Sequence, residues 1–170
     1  VRLVELRAMA MQDAVPQGTG AMAAVMGLDA EMVKKTCTEV AGSEVVEAVN
    51  FNDPTQTVIA GHKSAVERAA EAVKALGAKR AIMLPVSAPF HCSLMKPAAD
   101  VLDRALGDAL LAIPKIPVVN NVDVAVVLDP AGIREALVRQ AAAPVRWVET
   151  MRNFEEMDVT HIIECGPGKI

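Results

Sequence analysis

The chain has 170 residues, 52% of them hydrophobic and 22% charged, and carries a formal net charge of −4. That length suits one globular domain, or a large piece of one with a small subdomain. No basic tract points to nucleic acid, and no apolar run approaches the roughly 20 residues needed to cross a bilayer, so neither partner is expected.

Three Phe, one Trp and no Tyr leave Ala, Val, Leu and Met to fill the core. Three cysteines, Cys37, Cys92 and Cys165, are too widely spaced for a disulfide framework or a CxxC pair, which fits a reduced, cytoplasmic setting.

Residues 1–15, VRLVELRAMAMQDAV, carry apolar side chains at helical spacing, and the turn cluster PQGTG (16–20) ends that helix. A small-residue strand follows over 21–26. Asp29 is placed to cap a helix running to about residue 40, with Glu31 in its favourable first turn. Strands at 45–51 and 57–60 are joined by NDPTQ (52–56), a hairpin signal. An amphipathic helix over 63–76 ends at Gly77, and a fourth strand covers 80–86. The order from 21 to 86 is therefore βαββαβ, the split βαβ of ferredoxin-like units.

Past residue 86 the pattern changes. A long helix is expected over 96–111, short strands at 118–119 and 124–128, and a helix from Pro130 through Gln140. Another helix begins at Pro144, and a last strand at 160–164 precedes the turn GPG (166–168). Strands alternating with helices predict a parallel sheet here. The fold class is α/β, with a small ferredoxin-like subdomain at 18–86 set into a larger α/β domain made of 1–17 and 87–170. Because residue 1 falls in mid-helix and residue 170 follows a strand and turn, the sequence reads as part of a longer polypeptide.

The segment PVSAPFHCSLM (85–95) holds His91 in a proline-stiffened loop at a strand exit. Histidine suits proton transfer near neutral pH, so a general base and a structural ring both stay open. His62 and His161 fit a junction and a strand start. A base needs a nucleophile, and Ser87, Cys92 and Ser93 are the residues nearby. No serine lies in a GxSxG elbow, no Walker loop occurs, and GTG (18–20) lacks the rest of a dinucleotide fingerprint. The histidines and cysteines are too scattered for a metal site. Arg7, beside Leu3, Leu6, Ala10 and Met11, is either a snorkelling side chain or a guanidinium held for a carboxylate.

Taken together, VRLVELRAMAMQDAVPQGTGAMAAVMGL, NFNDPTQTVIAG, LPVSAPFHCSLMKPA, PVVNNVD, LVRQ and ECGPGK resemble the malonyl-CoA:acyl-carrier-protein transacylase family, in order and along the whole chain. The resemblance implies an α/β-hydrolase-like large domain with a ferredoxin-like small one. It implies that His91 takes the proton of a serine nucleophile, that the backbone carbonyl of Gln140 holds the other ring nitrogen, and that Arg7 clamps the malonyl carboxylate. Asn50 and Asn52 would line the cleft, and Phe90 would crowd out bulkier acyl groups.

The implied partners are malonyl-CoA and acyl carrier protein, in fatty acid biosynthesis, with a monomeric enzyme. No cofactor or metal is implied, since coenzyme A enters as part of the substrate. The family's serine, in a GHSLG elbow, and its oxyanion-hole glutamine match no residue in this sequence. They are expected upstream of residue 1, and the chain alone is expected to be inactive. Two other readings are a non-catalytic carrier-protein or protein-binding module, and a thioesterase using Cys92 or Ser93.

Overall fold

The computed structural model describes residues 2–165. The elements run α1 (Arg2–Asp13), β1 (Gly20–Met26), α2 (Ala30–Val40), β2 (Val46–Asp53), β3 (Gln56–His62), α3 (Lys63–Ala75) and β4 (Arg80–Met83). A 3-10 turn (Ser93–Met95) then leads directly into α4 (Lys96–Gly107). The chain continues through β5 (Val119–Asn120), β6 (Ala125–Val126), α5 (Pro130–Ala141) and α6 (Trp147–Glu156).

Strands β1 to β4 form one antiparallel sheet in the order β2-β3-β1-β4. Period-two alternation sorts its side chains onto two faces. Along β1, Ala21, Ala23 and Val25 join Val33 of α2 and Val66 and Val73 of α3 in one core. Met22 and Ala24 face the other way, where they meet Val49, Val58 and Cys92. One face of the sheet therefore carries two helices and the other carries the histidine loop. Beyond that loop, Met11 and Val15 pack against Met95 and Ala98, and Leu102, Leu106 and Ala141 continue the same apolar seam. This places α1, α4 and α5 side by side.

Local chemistry explains most boundaries. The Asp29 side chain accepts the Glu31 N–H at 2.9 Å and starts α2. Asp129 does the same for α5, accepting the Gly132 N–H at 2.8 Å just before Pro130. In the β2–β3 hairpin the turn tightens to Pro54 and Thr55, because Asp53 Oδ1 accepts both the N–H and the hydroxyl of Thr55 at 3.0 Å.

Several expectations are corrected. The strand expected over 80–86 stops at Met83, with one further bond from Leu84 N–H to the Met22 carbonyl at 2.9 Å, because Pro85 has no N–H to continue the ladder. The helix expected to reach residue 111 ends at Gly107, where no core remains to bury; Leu110 is fully exposed. The last helix begins at Trp147 rather than Pro144, because Val145 is drawn alongside β2. The Phe51 N–H donates to the Val145 carbonyl at 3.0 Å, and the Val145 N–H donates to the Val49 carbonyl at 2.7 Å.

The parallel sheet expected past residue 86 is not found among the described residues. β5 and β6 make a two-stranded antiparallel ribbon, and residues 160–164 form no strand. A strand needs a neighbour for its backbone groups, and Ile162 and Ile163 stand exposed with none. The expected turn at 166–168 lies outside the described residues.

Candidate active site

The loop from Pro85 to Cys92 is anchored at several points. Near its start, the Ser87 hydroxyl donates to Gln12 Oε1 at 2.7 Å, and Gln12 Nε2 donates back to the Ser87 carbonyl at 3.5 Å. Gln12 belongs to α1, so the helix that carries Arg7 also holds the loop. Pro89 is buried over Gly20, so closely that a β-carbon there would fall 2.4 Å from the proline Cδ. The Cys92 thiol donates to the Pro89 carbonyl at 3.1 Å. At the far end, Glu47 of β2 accepts both the N–H and the hydroxyl of Ser93, at 3.0 and 2.6 Å.

Between these anchors His91 sits in left-handed backbone, with φ of 64°. For a residue with a β-carbon that conformation costs about 1–2 kcal/mol, so the neighbouring contacts must over-determine it. Its Nδ1 lies 3.3 Å from the Gln140 carbonyl. Since a carbonyl can only accept, Nδ1 carries the hydrogen and Nε2 of the neutral ring is left as the acceptor. Burial pushes the ring's pKa below the ordinary histidine range; the carbonyl of Gln140 opposes that, the Arg7 cation adds to it, and the carbonyl of Ala143 opposes it again. A neutral, oriented imidazole is what a proton acceptor near pH 7 requires.

The other sequence candidates fall around this ring. Arg7 is half-buried on α1, and its charge acts on His91. Among the described residues no carboxylate lies within ion-pair distance of Arg7. Gln140 and His91 line a common cavity of about 480 Å³, together with Asn120, Asn121 and Val145. The Gln140 side chain turns back on its own helix end, its Nε2 donating to the carbonyls of Ala143 and Pro144 at 3.3 and 3.2 Å.

Asn50 and Asn52 flank Phe51, which packs on the helix-bearing face of the sheet. Asn50 pairs across the ladder with Val58, which lies on the face that carries the histidine loop, while Asn52 falls in an irregularity of the register between Phe51 and Asp53. Phe90 does not line the cavity; its half-buried ring joins two core clusters, one through Met22 and Val49 and one through Met11 and Val15.

None of the three nearby nucleophiles suits the base. The Ser87 hydroxyl is donated to Gln12 Oε1 at 2.7 Å. Cys92 is fully buried, and its thiol is pushed up to about 12, chiefly by that burial. A thiol at that value holds almost no thiolate at neutral pH. The Ser93 hydroxyl is committed to Glu47. Among the described residues no cluster of histidine, cysteine and carboxylate side chains could hold a metal ion.

Two features escaped the sequence reading. Glu47 contacts Ser93 across 46 positions, a separation that leaves no local pattern. The asparagine pair 120–121 was visible as PVVNN, but only folding puts it beside His91. There Asn120 holds the β5–β6 turn by accepting the Asp123 N–H at 2.7 Å.

Comparison with known proteins gives this arrangement a context. No protein-family model matches the sequence. The chain is 55% identical over all of its 170 residues to the malonyl CoA-acyl carrier protein transacylase of Salmonella typhimurium, of which it covers 55%. Its fold superposes on the crystal structure of an acyl-carrier-protein S-malonyltransferase from Burkholderia pseudomallei with a TM-score of 0.96 and 59% identity, over 98% of this chain and 54% of that one. It also matches a malonyl-transacylase in complex with a type II PKS acyl-carrier protein, with a TM-score of 0.92 and 56% identity, over 93% of this chain and 51% of that one. The chain thus spans about half the length of the curated relatives it matches.

Proposed function

Because the chain is homologous along its whole length to the malonyl CoA-acyl carrier protein transacylases, we propose that it supplies the proton-handling and substrate-clamping half of a malonyl transferase. The observation that carries this reading is the 3.3 Å approach of His91 Nδ1 to the Gln140 carbonyl, which leaves Nε2 bare to accept a proton.

In the whole protein the serine that His91 serves attacks the thioester carbonyl of malonyl-CoA while Nε2 takes the hydroxyl proton. The tetrahedral adduct collapses, the carbon–sulfur bond breaks, and the imidazolium returns the proton to the departing coenzyme A sulfur. The phosphopantetheine thiol of acyl carrier protein then attacks the malonyl ester, gives its proton to His91, and leaves as malonyl-carrier thioester. The serine oxygen takes that proton back. Arg7 pairs with the malonyl carboxylate and so disfavours uncharged acyl groups. Asn50 and Asn52 border the acyl cleft, and Phe90 stiffens the wall beside it. Coenzyme A is substrate only, and no metal takes part. A monomer in the cytoplasm suits this chemistry.

Transfer of radiolabelled malonyl from malonyl-CoA to carrier protein tests the reading. The 170-residue chain alone should form no malonyl-enzyme, since among the described residues the Ser87 and Ser93 hydroxyls are held by Gln12 and Glu47 and the Cys92 thiol is buried. Joined to a segment bearing a GHSLG serine it should transfer malonyl, and His91→Ala should then lower the rate by about 10²–10⁴. Arg7→Ala should erode discrimination between malonyl and acetyl. Clear acyl-enzyme on the isolated chain, or full transfer without His91, would refute the assignment.

A further inference from the structure

The left-handed backbone of His91 has identifiable supports on its N-terminal side, in the Gln12–Ser87 pair and in Pro89 packed over Gly20. On its C-terminal side the chain enters a helix at Ser93 that receives no cap from its own neighbours. Cys92 occupies the N-cap position and makes no side-chain bond there. The open N–H of Ser93 is taken instead by Glu47 Oε2 at 3.0 Å, and Glu47 Oε1 takes the serine hydroxyl at 2.6 Å.

We propose that Glu47 is a positioning residue for His91: by gripping Ser93 from the neighbouring sheet it fixes the backbone two residues after the histidine, and thereby the direction of the imidazole. Glu47 acts through the chain: its carboxylate holds the backbone and hydroxyl of Ser93, two residues beyond the ring. It stands three residues before Asn50 on the same strand, so the sheet and the histidine are held in one register. Its functional meaning rests on the reading of His91 as proton acceptor; its structural content does not.

The test is the ring itself. In the 170-residue chain labelled with ¹⁵N-histidine, nitrogen chemical shifts report the ratio of the Nδ1–H to the Nε2–H form of His91. Glu47→Ala should lower that ratio roughly tenfold, the effect of freeing one well-placed hydrogen bond. Ser93→Ala, which keeps the N–H bond, should lower it about threefold. Glu47→Gln retains an oxygen for the Ser93 N–H and an amide for its hydroxyl, so it should stay near the parent ratio.

Glu44→Ala supplies a control, because Glu44 bridges to Ser64 and Arg68 of α3 on the helix-covered side of the sheet. It should lower the Tm and leave His91 unmoved. An unchanged ratio in folded Glu47→Ala overturns the proposal, as does a Glu47→Gln ratio displaced as far as that of Glu47→Ala. Should Glu47→Ala fail to fold, an unchanged ratio in Ser93→Ala overturns it. If the ratios move as expected while malonyl transfer survives loss of His91, the catalytic reading fails and the positioning role stands.

Discussion

Gln12 and Glu47 hold the two ends of the loop that presents His91, one from α1 through Ser87 and the other from β2 through Ser93. The base is thus strung between a helix and a sheet that are otherwise separate layers. The helix brings Arg7 and the strand brings Asn50, so both substrate-facing candidates share the supports of the histidine. Mutations should therefore report on His91 even where they do not touch it.

The first consequence concerns pH. Burial holds the folded pKa of His91 below its ordinary 6.5, so the folded state takes up the proton later than the unfolded chain. The stability that follows is complete above 6.5 and is lost as pH falls through the folded value. His91→Asn, whose amide tolerates left-handed backbone, should remove that component. Tm measured from neutral pH down to about 5 should fall less steeply in the variant than in the parent. Equal slopes would count against a buried, neutral His91.

Arg7 acts on the same ring. Its cation disfavours a second positive charge on the imidazole, so Arg7→Ala should raise the His91 pKa and Arg7→Lys should leave it closer to the parent value. Titration of the His91 ring signals by NMR checks both. No movement in Arg7→Ala would mean that the guanidinium does not face the ring.

Gly20 has no room for a side chain. A β-carbon would meet the Pro89 ring at 2.4 and 2.5 Å, and a proline cannot swing aside as a flexible side chain can. Gly20→Ala should cost about 2 kcal/mol in urea unfolding, as overpacking does, and shift the His91 resonances with it. Parental stability with unshifted His91 signals would show that the contact yields freely.

The three thiols should separate by burial. Cys37 and Cys92 are buried with values pushed up to about 12, mainly by desolvation, whereas Cys165 is exposed. Iodoacetamide at mildly alkaline pH should modify Cys165 in the native chain, and the other two only after denaturation. Mass spectrometry of tryptic peptides gives the answer; rapid native labelling of Cys92 would revive a thiol nucleophile.

The half of the chain that folds through local signals was legible in sequence. Asp29, Asp53, Gly77 and Pro130 each mark a boundary by chemistry within a few residues, and the first three punctuate the βαββαβ order. The sites that needed distant partners were not. Val145 reads as the start of a helix because nothing nearby shows that β2 will claim it. Residues 160–164 read as a strand because Ile162 and Ile163 have strand propensity, while strand formation also needs a neighbour. Similarly, residues 85–95 announced a constrained histidine, but not the left-handed φ of His91 or the hold of Glu47.

The pairing of Val145 with β2 has an effect beyond the site. β2 is the outer strand of its sheet, and outer strands offer unpaired N–H and C=O groups on which another chain can polymerise. The bonds from Phe51 to Val145 and from Val145 to Val49 occupy part of that edge. The opposite edge, β4, is only four residues long and is cut off by Pro85, a poor template for growth. The segment that seats Gln140 beside the histidine therefore also guards the sheet against aggregation, and a lesion at Val145 would threaten solubility as well as chemistry.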